Sequence, residues 1–564
     1  MLPPINRGHS DFVSLRRRGE LYVDRSAFIG AVLGNPNRVL LFPRPRRFGK
    51  TLAMSMLRAW LERGPDNAAL FGDLAVWADP IAQAHRQRYA VIALSLKDAK
   101  AATWTEARRT LTLLVQQELL RCRPVWSDAR VDPALRDLLQ ADLAQADHPL
   151  VLPRLCAALR QATGEGAVLL IDEYDAPLIN GWEQGHYGEA LAWYRSFFGA
   201  AFQDNPDLAL GVCTGVLQVG KESTWSDLSN VTVAGLLDAQ PFEPFGFGEA
   251  DVADLLARAG RSDEAEAVRA WYNGYAIAGH TVYNPWSVLR ALQHPGRPLS
   301  PWWVNTSQNV LVRRLLLSHH ELGAGLERLL RGETVEVVME EAIPLGDLRP
   351  HHVWSLLLGS GYLTARSVRW EDGRRRALLA IPNGEVASLW RATFLDWLDP
   401  GEREGAPLIA ALLSGDAEAL GAEIEALLRL HASAHDLTAT QDEAFYHAFL
   451  LGVLVRFSAT HEVRSNRETG LGRADLLMIP RRPGLPGVVM ELKRLPRRGG
   501  DLHRLAETAL EQIQTRGYAD ALVAAGAAPV QAFGLSFAGR ELAVVGETVA
   551  QGPLRPEIDS TVSR

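Results

Sequence analysis

Lysine is nearly missing from this chain. Of 59 lysines and arginines together, only five are lysine: Lys50, Lys97, Lys100, Lys221 and Lys493. A compact ammonium is not interchangeable with a planar guanidinium, so a retained lysine hints at a specific use. Cysteine is as scarce. Cys122, Cys156 and Cys213 are odd in number and lack C-x-x-C spacing, which excludes a disulfide framework or a cysteine zinc site and fits a reducing compartment. No apolar run is long enough to cross a bilayer, and the amino terminus, Met1 to Arg7, has no apolar signal core, so a cytoplasmic protein with no membrane partner is expected. Excess positive charge is absent too. The net charge is −7, so any nucleic-acid surface must be a local patch.

What is present is a chain of 564 residues, 47% hydrophobic and 22% charged, long enough for two or more globular domains. It is organised around Val39 to Thr51. The apolar run Val39 to Phe42 reads as a buried strand, a turn rich in Pro and Arg follows, and Gly49-Lys50-Thr51 opens a helix with apolar residues at Leu52, Met56, Leu57 and Trp60. Strand, loop, Gly-Lys-Thr and helix is the context of a phosphate-binding loop, with Arg44 where the G-x-x-x-x-G-K-[ST] pattern has its first glycine. Backbone N–H groups of Arg47, Phe48 and Gly49 at the helix start would face the phosphates of ATP. Lys50 would meet the β- and γ-phosphates, and the Thr51 hydroxyl would hold Mg²⁺.

Ahead of the loop, residues 11–37 predict a short helix, a strand-like Leu21 to Val23 and a helix capped by Asp24. Downstream, Arg88 to Leu96 reads as a strand, and Trp104 to Leu120 and Leu150 to Ala162 as amphipathic helices. Ala167 to Asp175 is an apolar run ending in adjacent carboxylates. Asp172 would hold Mg²⁺ through water, and Glu173 would orient the attacking water. Leu208 to Gly215 is a further strand. Its Thr214 could sense the γ-phosphate or simply end the strand. This order predicts an α/β domain with a largely parallel sheet and nucleotide at the carboxyl ends of the strands.

From about Pro241 the texture changes. Trp271 to Tyr275 and Tyr283 to Ser287 are aromatic turn segments that could close over nucleotide as a lid or form a satellite core. Residues 301–435 read mostly as helices. The end of the chain has its own chemistry. A helix carries Glu443, Glu462 to Arg467 reads as strand and turn, and two apolar strands display Asp475, Glu491 and Lys493. Period-two alternation puts Glu491 and Lys493 on one sheet face with Leu492 on the other. Two carboxylates and a lysine suit metal-assisted phosphodiester hydrolysis, with Mg²⁺ on Asp475, Glu491 and possible help from Glu443. Arg494, Arg497, Arg498 and Arg504 form a basic run suited to a phosphate backbone. Gln512 and Tyr518, on the next helix, could flank the site.

The set of motifs resembles a bacterial and archaeal family that joins an AAA-ATPase-like domain to a PD-(D/E)XK nuclease-superfamily domain. Its carriers include Tyr22-Val23-Asp24-Arg25, Arg44 to Thr51, Leu170 to Asp175, Trp271 to Tyr275, Tyr283 to Ser287, Gly472 to Asp475 and Glu491 to Lys493. The resemblance implies a P-loop ATPase domain over 1–240, a mostly helical lid or coupling region over 241–435, a restriction-endonuclease-like α/β domain over 436–550 and a disordered tail over 551–564. It also implies that Asp475, Glu491 and Lys493 take the catalytic positions and Glu443 that of the helix carboxylate. ATP, Mg²⁺ and nucleic acid are the expected cofactors and partner, with oligomerisation possible. The competing expectations are an ATP-driven switch that binds nucleic acid or a protein without cutting, and a scaffold that binds ATP structurally.

Overall fold

The computed structural model describes residues 2–5, 8, 10–146, 148–219, 231–238, 245–303, 322–340, 342–397, 405–431, 446, 450, 454, 461–469, 472–495, 500–538 and 541–549. The chain divides into two compact units, residues 1–307 with 332–387, and residues 308–331 with 388–564.

The first unit is built on a sheet of β1 (Val39–Pro43), β2 (Val91–Ser95), β3 (Ala167–Asp172), β4 (Leu208–Gly215) and β6 (Val231–Val233), in the order β2-β3-β4-β1-β6. Every neighbouring pair is parallel. β1 and β3 are buried at every position, as a parallel sheet covered on both faces requires, and their unbroken apolar runs follow from that. β4 lies between β1 and β3, pairing Phe42 with Thr214 and Ile171 with Cys213. The ends of the three strands therefore emerge side by side, with Thr214 between the phosphate loop and Asp172. β5 (Gln218–Val219) pairs in parallel with β10 (Ala342–Ile343).

Two local expectations fail ahead of β1. Leu21 to Val23 joins no ladder; the Leu21 N–H donates to the Pro4 carbonyl (2.8 Å) instead. The helix starts at Ala27, because the Asp24 carboxylate accepts the Ser26 N–H (2.8 Å) and the Ala75 N–H (2.7 Å), closing a turn rather than capping a helix.

The middle region is helical, with Glu249–Ala259, Ala265–Tyr272, Pro285–Gln293 and Pro350–Gly359 as its main helices. It also holds a hairpin of β7 (Tyr275–Ile277) and β8 (His280–Val282), and a three-stranded antiparallel sheet of β9 (Val335–Met339), β11 (Thr364–Glu371) and β12 (Arg374–Ala380), in the order β11-β12-β9. The helical reading of 301–435 missed this sheet, whose period-two signals, Val335 and Val337 in β9 and Val368 and Trp370 in β11, each run for only a few residues.

A buried carboxylate ties the aromatic segments together. Glu385, fully buried, accepts from the Ser287 hydroxyl (2.8 and 3.0 Å) and the Trp303 N–H (2.7 Å), with Tyr272 and Tyr275 nearby. Burial pushes its titration up from 4.5 to about 7. Between those values the folded protein holds a proton that the unfolded chain has lost, so stability falls as pH rises through this window. The loss attributable to Glu385 is at most about 3 to 4 kcal/mol, at roughly 1.4 kcal/mol per pH unit. Glu385→Gln should flatten the dependence of the urea midpoint between about pH 5 and about pH 8. Parallel curves for wild type and variant would rule this out.

The second unit centres on β13 (His461–Thr469), β14 (Gly472–Pro480), β15 (Gly487–Arg494), β16 (Val530–Ala538) and β17 (Glu541–Val549), hydrogen-bonded in that order. Only β15 and β16 are parallel, and the helix Leu502–Thr515 makes their crossover. β13 continues to Thr469, which pairs with Gly472, so the turn expected near Arg467 is strand. β15 alternates as its sequence implies. Val488, Met490 and Leu492 enter a core with Leu412, Ile424, Tyr446 and Leu450, while Val489 packs with Leu510 and Ile513 of the crossover helix on the opposite face. Among the described residues, no helix is long and apolar enough to cross a membrane.

Candidate active sites

The first site forms where β1 turns into the helix Lys50–Leu61. Gly49, at φ 85°, is its N-cap in a left-handed conformation that glycine adopts without strain. Arg47 (φ 67°) and Glu173 (φ 51°) share that conformation without being glycine. Such residues cost on the order of 1–2 kcal/mol each and cluster at functional sites. Lys50 is buried, and its ammonium donates to the carbonyls of Arg44 (2.8 Å) and Pro45 (2.9 Å). Burial pulls its pKa down to about 8, opposed by the charges of Asp172, Asp175 and Glu173. The Thr51 hydroxyl donates to one oxygen of Asp172 (2.7 Å) and the Thr214 hydroxyl to the other. Lys50, Thr51, Asp172 and Thr214 thus form one cluster, with Glu173 half-buried beside it.

Arg44 does not line this cluster. Its side chain is fully buried, lies over the rings of Phe42 (5.9 Å) and Phe245 (5.4 Å), and donates to the carbonyls of Pro43 (2.8 Å) and Ala234 (2.5 Å). Burial lowers its pKa to about 9. The residue that replaces the loop's first glycine therefore fastens the loop to the chain after β6.

Asp175, to which the sequence attaches no role, lies at the same strand ends. It is buried and accepts the N–H groups of Val216 and Leu217, both at 2.8 Å, holding the chain after β4 in place. Burial raises its pKa. A Cβ on Gly215 would strike Tyr174 and the Asp175 carboxylate, so a glycine ending a strand next to a second acid was the signal to follow.

The aromatic segments form the satellite core expected of them. Tyr272 and Tyr283 sit in a core with Val252, Leu255 and Val288. They also reach the loop: Tyr275 meets Phe48 edge to face (5.0 Å), and Arg47 lies 4.5 Å over Trp286. Beside them an apolar cavity of about 210 Å³ is lined by Tyr22, Phe28, Gly49, Leu52, Met56 and Trp286, among others.

The second site lies where the β14–β15 ladder ends. Leu476 pairs with Met490, so Asp475 and Glu491 are the next pair in that register. The backbone pairing stops there, and the Leu492 N–H donates to the Asp475 carboxylate (2.8 Å). Glu491 is buried. Its Oε1 accepts from Lys493 (2.9 Å) and Gln512, while its buried Oε2 has no partner among the described residues. Burial, then the Asp475 charge, pushes the Glu491 pKa up to about 7. An orphaned carboxylate oxygen beside a second carboxylate is the donor set a hard divalent cation takes.

Gly534 makes this grouping possible. It pairs with Glu491, and a Cβ there would collide with the Ala506 carbonyl and the Leu510 nitrogen of the crossover helix. Its absence lets the helix lie close enough for Gln512 to reach Glu491. Tyr518 does not flank the site; it follows the helix end and is buried in the core with Leu477 and Leu522. Glu443, Arg497 and Arg498 lie outside the described residues. Arg504 is exposed on the helix Leu502–Thr515.

The two units thus define an α/β nucleotide-binding fold and a mixed-sheet fold with a D…E-x-K edge. Residues 6–225 match the family model described as a predicted AAA-ATPase, and residues 441–547 match that of the PD-(D/E)XK nuclease superfamily. The chain carries an AAA-ATPase-like domain followed by a C-terminal PD-(D/E)XK nuclease-superfamily domain. It is 26% identical over 560 residues to a protein of Azotobacter chroococcum mcd 1 named as an uncharacterized protein in the vnfD 5' region, covering 96% of this chain and 98% of that one.

Proposed function

We propose that the protein is an ATP-hydrolysing, Mg²⁺-dependent nuclease, with ATP bound in the first unit and nucleic-acid phosphodiesters cut in the second. The observation that carries this reading is the Glu491 carboxylate, buried beside Asp475, with Lys493 and Gln512 on one oxygen and no described residue on the other. Asp475 and Glu491 would hold the metal, which supplies charge neutralisation and a water of lowered pKa. Gln512 fixes the rotation of Glu491. Lys493, on the same face, places an ammonium where charge develops on the scissile phosphate.

In the first unit, Lys50 would leave the Arg44 and Pro45 carbonyls for the β- and γ-phosphates. Thr51 and Asp172 would hold Mg²⁺, and Glu173 would orient the attacking water, with Thr214 next to the γ-phosphate. The apolar cavity beside Gly49 suits the nucleobase.

The test is a cleavage panel of linear and circular, single- and double-stranded DNA and RNA, with Mg²⁺ or Mn²⁺, with and without ATP. Cleavage lost in Asp475→Ala supports the reading. Absence of cutting on every substrate, with ATP still hydrolysed, replaces it with an ATP-driven switch that binds without cutting.

A further inference from the structure

The hairpin β11–β12 belongs to neither candidate site. From Arg366 to Arg374 every residue is exposed, so both faces of the ribbon meet solvent. It carries Arg366, Arg369, Arg374, Arg375 and Arg376 against Glu371 and Asp372, a local positive excess in a chain whose net charge is −7. Arg369 pairs with Glu336 (2.6 Å), Arg376 with Glu371 (2.5 Å) and Arg375 with Asp238 (2.6 Å). Arg366 and Arg374 form no ion pair among the described residues.

Trp370 stands in the middle of this charge and is 69% exposed. It pairs across the ribbon with Arg375, whose guanidinium lies 5.0 Å from the ring. That contact fixes the ring without covering it. Val368, 38% exposed, is on the same face two residues earlier. A groove of about 880 Å³ continues from this hairpin, lined by Trp370, Arg374, Arg375 and Arg349 together with the acids Asp238 and Glu340.

An open aromatic ring on a ribbon that also carries two arginines meeting no described acid has a specific complement. The ring stacks on a base that has left its duplex, and the guanidinium groups meet the neighbouring phosphates. A protein partner would have to bring an acid to each of these arginines, whereas a nucleic-acid strand carries a phosphate at every step beside a base that can stack. We infer that the β11–β12 hairpin is a docking site for single-stranded nucleic acid on the ATPase-bearing unit, with Trp370 as the stacking platform and Arg366 and Arg374 as phosphate contacts. The site needs no cleavage chemistry, so it stands or falls apart from the nuclease reading.

The experiment uses the full chain carrying Asp475→Ala, in EDTA, and a fluorescent oligothymidylate of about 16 nucleotides, near the upper site size of one such platform. Adding Trp370→Ala should weaken binding about tenfold, and Trp370→Phe should restore most of it, since stacking survives with a smaller ring. Arg366→Ala with Arg374→Ala should lower the slope of log affinity against log salt by about 1.4, at roughly 0.7 for each phosphate no longer neutralised. ATP affinity should be unchanged in all three, which shows that the unit is folded. Equal affinity of the parent and Trp370→Ala, no binding by the parent, or tighter binding of the matching duplex overturns the proposal.

Discussion

Lys50→Ala should abolish ATP binding at working concentrations, raising the dissociation constant by roughly a hundredfold or more, as loss of one partner of a buried charge contact does. The ammonium is buried and already held on two carbonyls of its own loop, so nucleotide phosphates only have to replace those carbonyls. Alanine removes the charge and also leaves the Arg44 and Pro45 carbonyls without their donor. Lys50→Arg should not restore binding, because the wider planar guanidinium cannot sit at the buried point where the Arg44 and Pro45 carbonyls hold the ammonium. Glu173→Gln should bind ATP normally and turn it over slowly, since only the water loses its orienting carboxylate. Calorimetric titration with MgATP separates the two variants. Equal affinities for wild type and Lys50→Ala would refute the assignment.

The second large effect is at the other site. Asp475→Ala and Glu491→Ala should each lower cleavage by about a thousandfold or more, a scale seen when one buried catalytic group is removed, and both should lose Mg²⁺ binding. Two carboxylates adjoin here, one of them buried, and a cation or shared proton is what lets them stay together. Lys493→Ala should keep metal and substrate and lose rate. Its ammonium now satisfies Glu491 Oε1, so the variant also leaves Gln512 as that oxygen's remaining donor. Lys493→Arg should rescue poorly. Cleavage at wild-type rate by the alanine variants would make the cluster structural.

Much of this was legible because the relevant residues sit on strands with strong patterns. The unbroken apolar run of β1 and the acids ending β3 declare their elements, and the alternation of β15 also declares which face carries Glu491 and Lys493. Leu492 turning into the core while Glu491 and Lys493 do not is a consequence of period two alone. What could not be read depends on partners far along the chain. Asp24 looked like a helix cap because its second partner, the Ala75 N–H, is invisible locally. Glu385 joins Ser287 and Trp303 across long separations, and nothing near it marks a buried acid. Gly534 is one glycine in an apolar strand until the helix crossing it is known. The β11–β12 hairpin is hard to read for another reason: Val368 and Trp370 alternate with Ser367, Arg369 and Glu371 over only five residues, all of them exposed, so no buried face marks the strand.

Arg44 has a consequence for the order in which the protein is made. The loop's first residue is fastened to Ala234 and Phe245, and β1 gains its outer neighbour only from Val231 to Val233. A ribosome releasing the chain from its amino terminus exposes the phosphate loop long before those residues exist. Until then a guanidinium meant for the interior has no interior to enter, and β1 is an unprotected edge. The contacts that hold Arg44 are thus complete only after about residue 245 has emerged, beyond the 225 at which the match to the AAA-ATPase family model stops. Completion of the loop is in this sense a late event of synthesis, and a fragment cut at residue 225 would preserve every loop residue while omitting what holds the loop in shape.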